Sequence, residues 1–515
     1  MRRTLPLLIL AVIVLGGFGL RVYDLGQNPP GFFTDEAVAG LNAYTILANG
    51  TDQYGTPFPV FFKAFGEYRG GVGIYTTVPF VALFGLTEFG IRMTSAFFGT
   101  LSIVLLYFFV LELLKNHRAR TPIALLSAAF LALSPWHLHY SRIGWDGYMQ
   151  FLSLTLLGLW LFLKAQEKPA LLPWSIGCFG LALYSYFPAR VFVPLLGLGL
   201  LLLNVMFFLK NRQETLAAAC VLFIILLPFI TFHLQPEAWN KWEWNSIVAH
   251  PPARESIIRH AAANYLDHFS PRFLFLEGDL AQRHNVRKFG ELYLFQLPLI
   301  LAGLFALWNK KYRLAFWTIA VWLLFYPVAQ AMTSDIYATA TRSIIGVVPF
   351  QVLSAAGAVS LILAIPARQK ALRTLAAVVL AFIAVCSAAA YTQEYFVAYP
   401  RYAAGWDGWQ HGAGDIVRHF IAVQDQYDDL IMQPAFNGPD VLLAFYSRNY
   451  ADGCSKCTLA NNFDKYNPQR SQLYAVTPAT LNQSRFAEDF VVQKTLRYPD
   501  GSVAFLIGEP APRKG

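Results

Sequence analysis

The chain has 515 residues, 56% of them hydrophobic and 16% aromatic, and only 14% charged. A soluble domain carries roughly 25% charge, so this chain lacks the polar residues to cover a soluble surface, and it is too apolar to be disordered or to coat nucleic acid. The formal charge of +9 fits basic loops gathered on one side of a membrane, and the positions of the charges have to decide it.

The chain opens with Arg2-Arg3 and an apolar run from Leu5 to Leu20. A signal peptide is the competing reading, but no small-residue cleavage site follows and more apolar runs do, so this is a first spanning helix with a cytoplasmic N-terminus. Further runs of spanning length lie near 91–114, 121–140, 149–164, 170–187, 191–209, 215–233, 291–308, 313–331, 343–365 and 372–391, about eleven spans in all. The stretch from Gly71 to Leu86 is shorter and contains Gly73, Pro79 and Gly85. If it stays at the interface, the basic connections Lys115 to Arg120, Lys164 to Lys168, Lys210 to Arg212, Lys310 to Arg313 and Arg368 to Arg373 all share a side with Arg2-Arg3. If it crosses, all five move outside, so the positive-inside rule makes 71–88 an interfacial or re-entrant helix.

That count makes 23–89 one long external loop, with further external segments at 141–148, 234–290 and 332–342. The tail from Thr392 is external too. Stretches such as Leu430 to Gln433 and Val503 to Ile507, set among Gly, Pro, Asn and Asp, predict a small α/β domain over 392–515. Cys178, Cys220 and Cys386 sit in apolar runs as small hydrophobes, and Cys454 with Cys457 reads as a local disulfide or two free thiols in preference to a zinc site. No Walker A and no dinucleotide fingerprint occurs.

The candidate chemistry lies in the external segments. Thr34-Asp35-Glu36 in the first loop pairs a residue that can cap a helix with two carboxylates, and a helix N-terminus favours the ionised form a base requires. An ordinary helix start is the competing reading. Glu67-Tyr68-Arg69-Gly70-Gly71 sets a guanidinium beside a helix N-terminus, which suits a phosphate or anchors to lipid headgroups. Ser134 to Asp146 contains His137, His139, Arg142 and Asp146; two histidines at i, i+2 do not share a helix face, which argues against metal ligation. Asp279, Arg283 and His284 lie in the loop before a span, and Arg342 ends Tyr337 to Arg342. Trp239, Trp242 and Trp244 form an aromatic cluster, read as a membrane-interface belt or a sugar-stacking surface.

On Asp35-Glu36 after the first span, the Arg69 segment, Glu88 to Arg92 opening the next span, and Ser134-Pro135-Trp136-His137 through Arg142, the chain resembles the polytopic glycosyltransferases of the GT-C fold. It is most similar to the bacterial relatives of protein O-mannosyltransferases and of the lipid A aminoarabinose transferase. Where many relatives have Lys-Pro-Pro, this chain has Glu67-Tyr68-Arg69. The resemblance covers roughly residues 1–365 and implies a helical membrane domain over 1–391 with juxtamembrane helices in the first external loop. It also implies a sugar donor on a polyprenyl phosphate, used on the outer face of the cell membrane.

A lipid phosphate departs without a general acid, so one base and a cationic cluster suffice. Asp35 is then the expected base and Glu36 its orienting partner or an acceptor ligand. Arg69, Arg142 and Arg342 are expected around the phosphate, and Asp146, Asp279, Arg283, His284 and His137 are expected to contact substrate. One base and a single displacement invert the anomeric centre. No cofactor is required; a divalent cation at Asp35 is an open option. The acceptor is a hydroxyl of a lipid, glycan or protein, and no nucleic-acid partner is expected. A lipid-linked glycan polymerase or ligase shares the donor chemistry. A secondary transporter is the rival of another class, disfavoured because the ionisable residues gather in loops and at span ends and not at the bilayer midplane.

Overall fold

The computed structural model describes residues 4–252, 256–448 and 453–510; Arg2 and Arg3, on which the expected cytoplasmic N-terminus rests, lie outside them. Among the described residues seven helices are long and apolar enough to cross a membrane, and five shorter apolar helices accompany them. The chain is a multi-pass membrane protein. The seven correspond to seven of the expected spans. Four of the shorter ones, Arg120–Leu133, Pro169–Ala182, Ala189–Leu203 and Gln296–Leu307, fall on the remaining runs.

The first seven helices build the site: α1 (Leu5–Val22), α2 (Thr34–Asn49), α3 (Gly71–Phe84), α4 (Glu88–Leu113), α5 (Arg120–Leu133), α6 (Pro135–Tyr140) and α7 (Tyr148–Ala165). The run expected as one helix over 121–140 is two, because Pro135 biases Ser134 away from helical backbone and the Ser134 side chain caps the second piece. Helix α3, with 14 residues, extends only about 21 Å against a hydrocarbon core of roughly 30 Å. It packs on α2, α4 and α7. The tightest helix crossing joins Gln296–Leu307 to Val347–Ala364. A Cβ at Gly303 would meet the Leu353 carbonyl and one at Gly357 the Leu299 carbonyl, so the backbones approach as they do at small-residue contacts in membranes.

Between α2 and α3, β1 (Phe61–Ala64) and β2 (Glu67–Gly70) form an antiparallel hairpin with Phe62 opposite Arg69. The last helical run continues through Ala403, beyond the expected boundary at 392, and the α/β unit follows it. Its strands β3 (Asp429–Met432), β4 (Cys457–Leu459), β5 (Gln472–Val476), β6 (Phe490–Arg497) and β7 (Val503–Pro510) form one sheet in the order β4-β3-β5-β7-β6. β3 runs parallel to β4 and β5, and β7 antiparallel to β5 and β6. Cys454 and Cys457 are joined by a disulfide, one of the two states expected for them.

This unit is docked on the first external loop. Helix Pro439–Arg448 lies against α2, with Phe445 4.7 Å from Phe32 between ring centroids. The Tyr446 hydroxyl donates to Glu88 at 2.8 Å, and Gly31, at φ +123°, leaves no room for a Cβ against the Trp409 carbonyl.

Candidate active site

Helix α2 starts from Phe33, whose backbone is extended (φ −81°, ψ 151°), so Asp35 and Glu36 fall in its first turn. Thr34, expected as the cap, is the first helical residue; its hydroxyl donates to the Asn437 carbonyl of the C-terminal unit. Glu36 reaches back to accept the Phe33 amide at 3.3 Å, as the third residue of a capping box does. Both its oxygens meet Arg92, at 2.9 and 3.0 Å, and Oε1 also accepts the Gly144 amide at 2.8 Å. Arg92 and Glu36 are wholly buried. Arg92 spends its remaining N–H groups on the carbonyls of Leu25, Pro29 and Gly31. Glu36 is therefore closed off from an acceptor, which corrects that expectation. Its two ties hold the start of α2 against the turn that carries Asp146, so it orients the site through the backbone.

Asp35 faces the opposite way, with 23% of its side chain exposed. Arg69 donates through one Nη to Asp35 and through the other to Asp146 Oδ1 at 2.7 Å. It lies 3.3 Å from Glu67, which Lys241 bridges at 2.7 Å. Asp146 is aimed by a turn in which both it (φ +32°) and Gly147 (φ +73°) are left-handed, a geometry Asp tolerates better than most residues. Both Nη groups of Arg69 are thus taken by carboxylates, while its buried Nε has no partner. The first amides of α3 are also taken, Gly71 by the Val60 carbonyl at 3.0 Å and Val72 by the Tyr184 carbonyl at 3.1 Å. The expected phosphate cradle at Arg69 is a charge clamp on two aspartates. Among the described residues no group of three or more His, Cys, Asp or Glu converges as a metal site.

Burial pushes the Asp35 carboxyl up, but the Arg69 guanidinium outweighs it and holds the group below the usual carboxylate range. At Asp146 burial prevails over the same guanidinium, helped by the Asp35 charge, and the carboxyl is raised. One arginine between two carboxylates separates them into a readily ionised member and a reluctant one, the pattern of a site with assigned proton roles. Burial lowers Arg283, and the Asp35 charge opposes it. Its guanidinium lies 4.0 Å over the Phe33 ring, two residues before Asp35. Among the described residues no carboxylate pairs with it, and its buried Nε has no partner.

The other predicted positions are structural. Arg142 is wholly buried and donates to the carbonyls of Leu20, Arg21 and Asn28 at 2.8, 2.9 and 2.8 Å. It closes the end of α1 and does not reach a phosphate. His137 is enclosed by Arg21 at 2.7 Å and Ser102 at 2.8 Å, and His139 turns away to the Arg283 carbonyl at 2.7 Å. Both rings are buried, and among the described residues they belong to no group of three or more His, Cys, Asp or Glu. Asp279 is fixed by the amides of Ala281 and Ala340, at 2.9 and 2.7 Å, and by His284 at 3.1 Å. His284 stands edge-on to Trp145 at 5.9 Å. Arg342 is bound to Asp335 and Gln330 and borders a separate apolar cleft with Lys241 and Trp242. Trp239 and Trp244 are about half exposed. Sequence reasoning missed Lys241 as the outer end of the charge chain through Glu67, because the two residues lie 174 positions apart.

Breaking a buried ion pair by removing one partner costs about 3–5 kcal/mol. Arg92→Met and Glu36→Gln are therefore expected to lower the thermal unfolding midpoint of the solubilised protein, whereas Asp35→Asn leaves it near the parent value. Monitoring monodispersity on heating checks this.

Residues 72–232 match the family model of dolichyl-phosphate-mannose-protein mannosyltransferase, and the comparison with curated proteins returns no match. Among solved structures the chain is similar to ArnT from Cupriavidus metallidurans bound to undecaprenyl phosphate, at 14% identity and a TM-score of 0.52 with 97% of each chain covered. It is also similar to the oligosaccharyltransferase AglB from Archaeoglobus fulgidus in complex with an inhibitory peptide and a dolichol-phosphate. There the identity is 13% and the TM-score 0.53, with 100% of this chain and 75% of that one covered. From the interfacial helix to the sheet-bearing tail, this chain has the GT-C fold of the membrane glycosyltransferases.

Proposed function

We propose that the chain is an inverting glycosyltransferase that moves a sugar from a polyprenyl-phosphate donor to a hydroxyl of a lipid, glycan or protein on the outer face of the membrane. The observation that carries this reading is Asp35, about one quarter exposed at the start of α2 and kept ionised by Arg69. The match to a dolichyl-phosphate-mannose-dependent family over 72–232 and the lipid phosphates in the ArnT and AglB structures support the donor class.

Asp35 accepts the proton of the acceptor hydroxyl while the acceptor oxygen attacks the anomeric carbon. The bond from that carbon to the phosphate oxygen breaks, and its electron pair leaves with the polyprenyl phosphate. No acid is needed, since a phosphate monoester leaves as a stable anion. Arg283, with no carboxylate of its own, is the cation we assign to the departing phosphate, in place of the Arg142 and Arg342 of the sequence reading. Arg69 supplies the positive charge beside Asp35, so transfer is expected to survive chelation of divalent ions.

Purified protein should transfer sugar from a short-chain polyprenyl-phosphate donor without added nucleotide. Asp35→Asn should cut the rate by about 100 to 10,000-fold, the usual worth of a positioned base. Activity with a nucleotide sugar alone would overturn the assignment.

A base with a depressed pKa works above that pKa and fails as pH falls through it. Arg69→Gln removes the depressing charge, so the acidic limb of kcat/KM should move to higher pH. An unmoved limb would take the base role from Asp35.

The outer-face placement rests on the positive-inside count and on the Cys454–Cys457 disulfide, which suits an oxidising compartment. Single cysteines at Asn116 and Gln483 test it with an impermeant reagent applied to whole cells; label at position 483 and none at 116 is expected.

A further inference from the structure

At the end of the bundle opposite Asp35, the connection between helices Gln296–Leu307 and Arg313–Phe325 folds into a tight turn, Lys310–Tyr312. Tyr312 lies 4.7 Å from His117, just past the far end of α4. Trp308, Asn309, Lys310, Arg313, Phe316 and Trp317 enclose an open cavity of about 390 Å³. Its aromatic walls are not packed away: Trp308 is 70% exposed and Trp317 42%, and Phe316 meets Trp308 edge-on at 4.9 Å.

Several basic residues at the same end are paired. Lys115 bridges Glu167 at 2.8 Å and Lys164 bridges Glu112 at 3.0 Å. Arg373 donates to the Ile365 carbonyl at 2.8 Å. Lys310 and Arg313 have neither an ion pair nor a side-chain hydrogen bond among the described residues. No acidic residue occurs in the chain between Glu291 and Asp335. Two cations therefore face one cavity with no carboxylate paired to either among the described residues, flanked by tryptophans at the depth where a membrane helix ends. A phosphate answers the charge, and the glycerol and upper acyl segments of a lipid suit the aromatic walls.

We infer that this cavity binds the headgroup of an anionic phospholipid. The inference rests on the membrane fold and the cavity's own residues, and does not depend on the transferase reading.

Native mass spectrometry of the full-length protein in detergent, titrated with phosphatidylglycerol and with phosphatidylcholine, tests it. Phosphatidylglycerol should be retained selectively. Near an anionic surface each cation contributes about fivefold, so Lys310→Gln with Arg313→Gln should weaken retention on the order of 25-fold. The paired cations serve as the control: Lys115→Gln with Lys164→Gln should leave that retention in place. Equal retention of the two lipids, an equal loss in the control variant, or displacement of phosphatidylglycerol by millimolar inorganic phosphate would each overturn the proposal. Should the double variant fail to fold, Lys310→Gln alone reads the same way, and unchanged retention counts against it.

Discussion

The arrangement of the external loop depends on one buried ion pair. Arg92, one turn into the second long helix, holds Glu36 through both carboxylate oxygens and gathers the carbonyls of Leu25, Pro29 and Gly31. Those carbonyls belong to the chain as it leaves the first helix, and Gly144, on the other side of Glu36, belongs to the turn after α6. Three segments that are remote in sequence thus meet on a single guanidinium–carboxylate contact. A buried pair of this kind adds little net stability, because desolvation consumes most of the Coulombic gain. What it provides here is geometry, since each unsatisfied alternative would strand a charge or a carbonyl away from water.

On that frame the reactive charges can be few. Arg69 serves Asp35 and Asp146 at once through its two Nη groups, while its buried Nε has no partner. The consequence is an asymmetry between two carboxylates that share the same neighbour: one is held ionised, the other reluctant. A single mobile cation would impose no such difference. Arg283 lies over the Phe33 ring with no carboxylate paired to it among the described residues, and its buried Nε has no partner.

The helical architecture and the acidic start of the first external helix were legible in the sequence, because a run of apolar residues long enough to span has few other uses. The division of labour between Asp35 and Glu36 was an expectation from the resemblance, and the complete burial of Glu36 was not foreseen. Adjacent residues on a helix are about 100° apart in azimuth, so one faces the site and the other the core, and only the packing of α2 decides which. The surroundings of the arginines were hidden for a related reason. Arg142, Arg69 and Arg283 look alike in sequence. Which of them is free depends on carbonyls and carboxylates far away along the chain, such as Leu20, Asn28 and Asp146. Likewise the end of the last span was misjudged because π-helical turns at Glu394–Ala398 carry the helix on past an apparent boundary.

The C-terminal unit reaches the catalytic helix through the main chain. The Thr34 hydroxyl, one residue before Asp35, is met by the Asn437 carbonyl, while the neighbouring Gly438 (φ +59°) would bring any Cβ into the Thr34 methyl group. This joint fixes the path of the backbone at Gly438, and the Phe445 ring, packed on Phe32 and against Gly40, adds a side-chain contact to the same helix. The sheet-bearing unit is thereby pinned, by backbone and by ring packing together, to the turn from which Asp35 projects, as a handle is fixed to its tang.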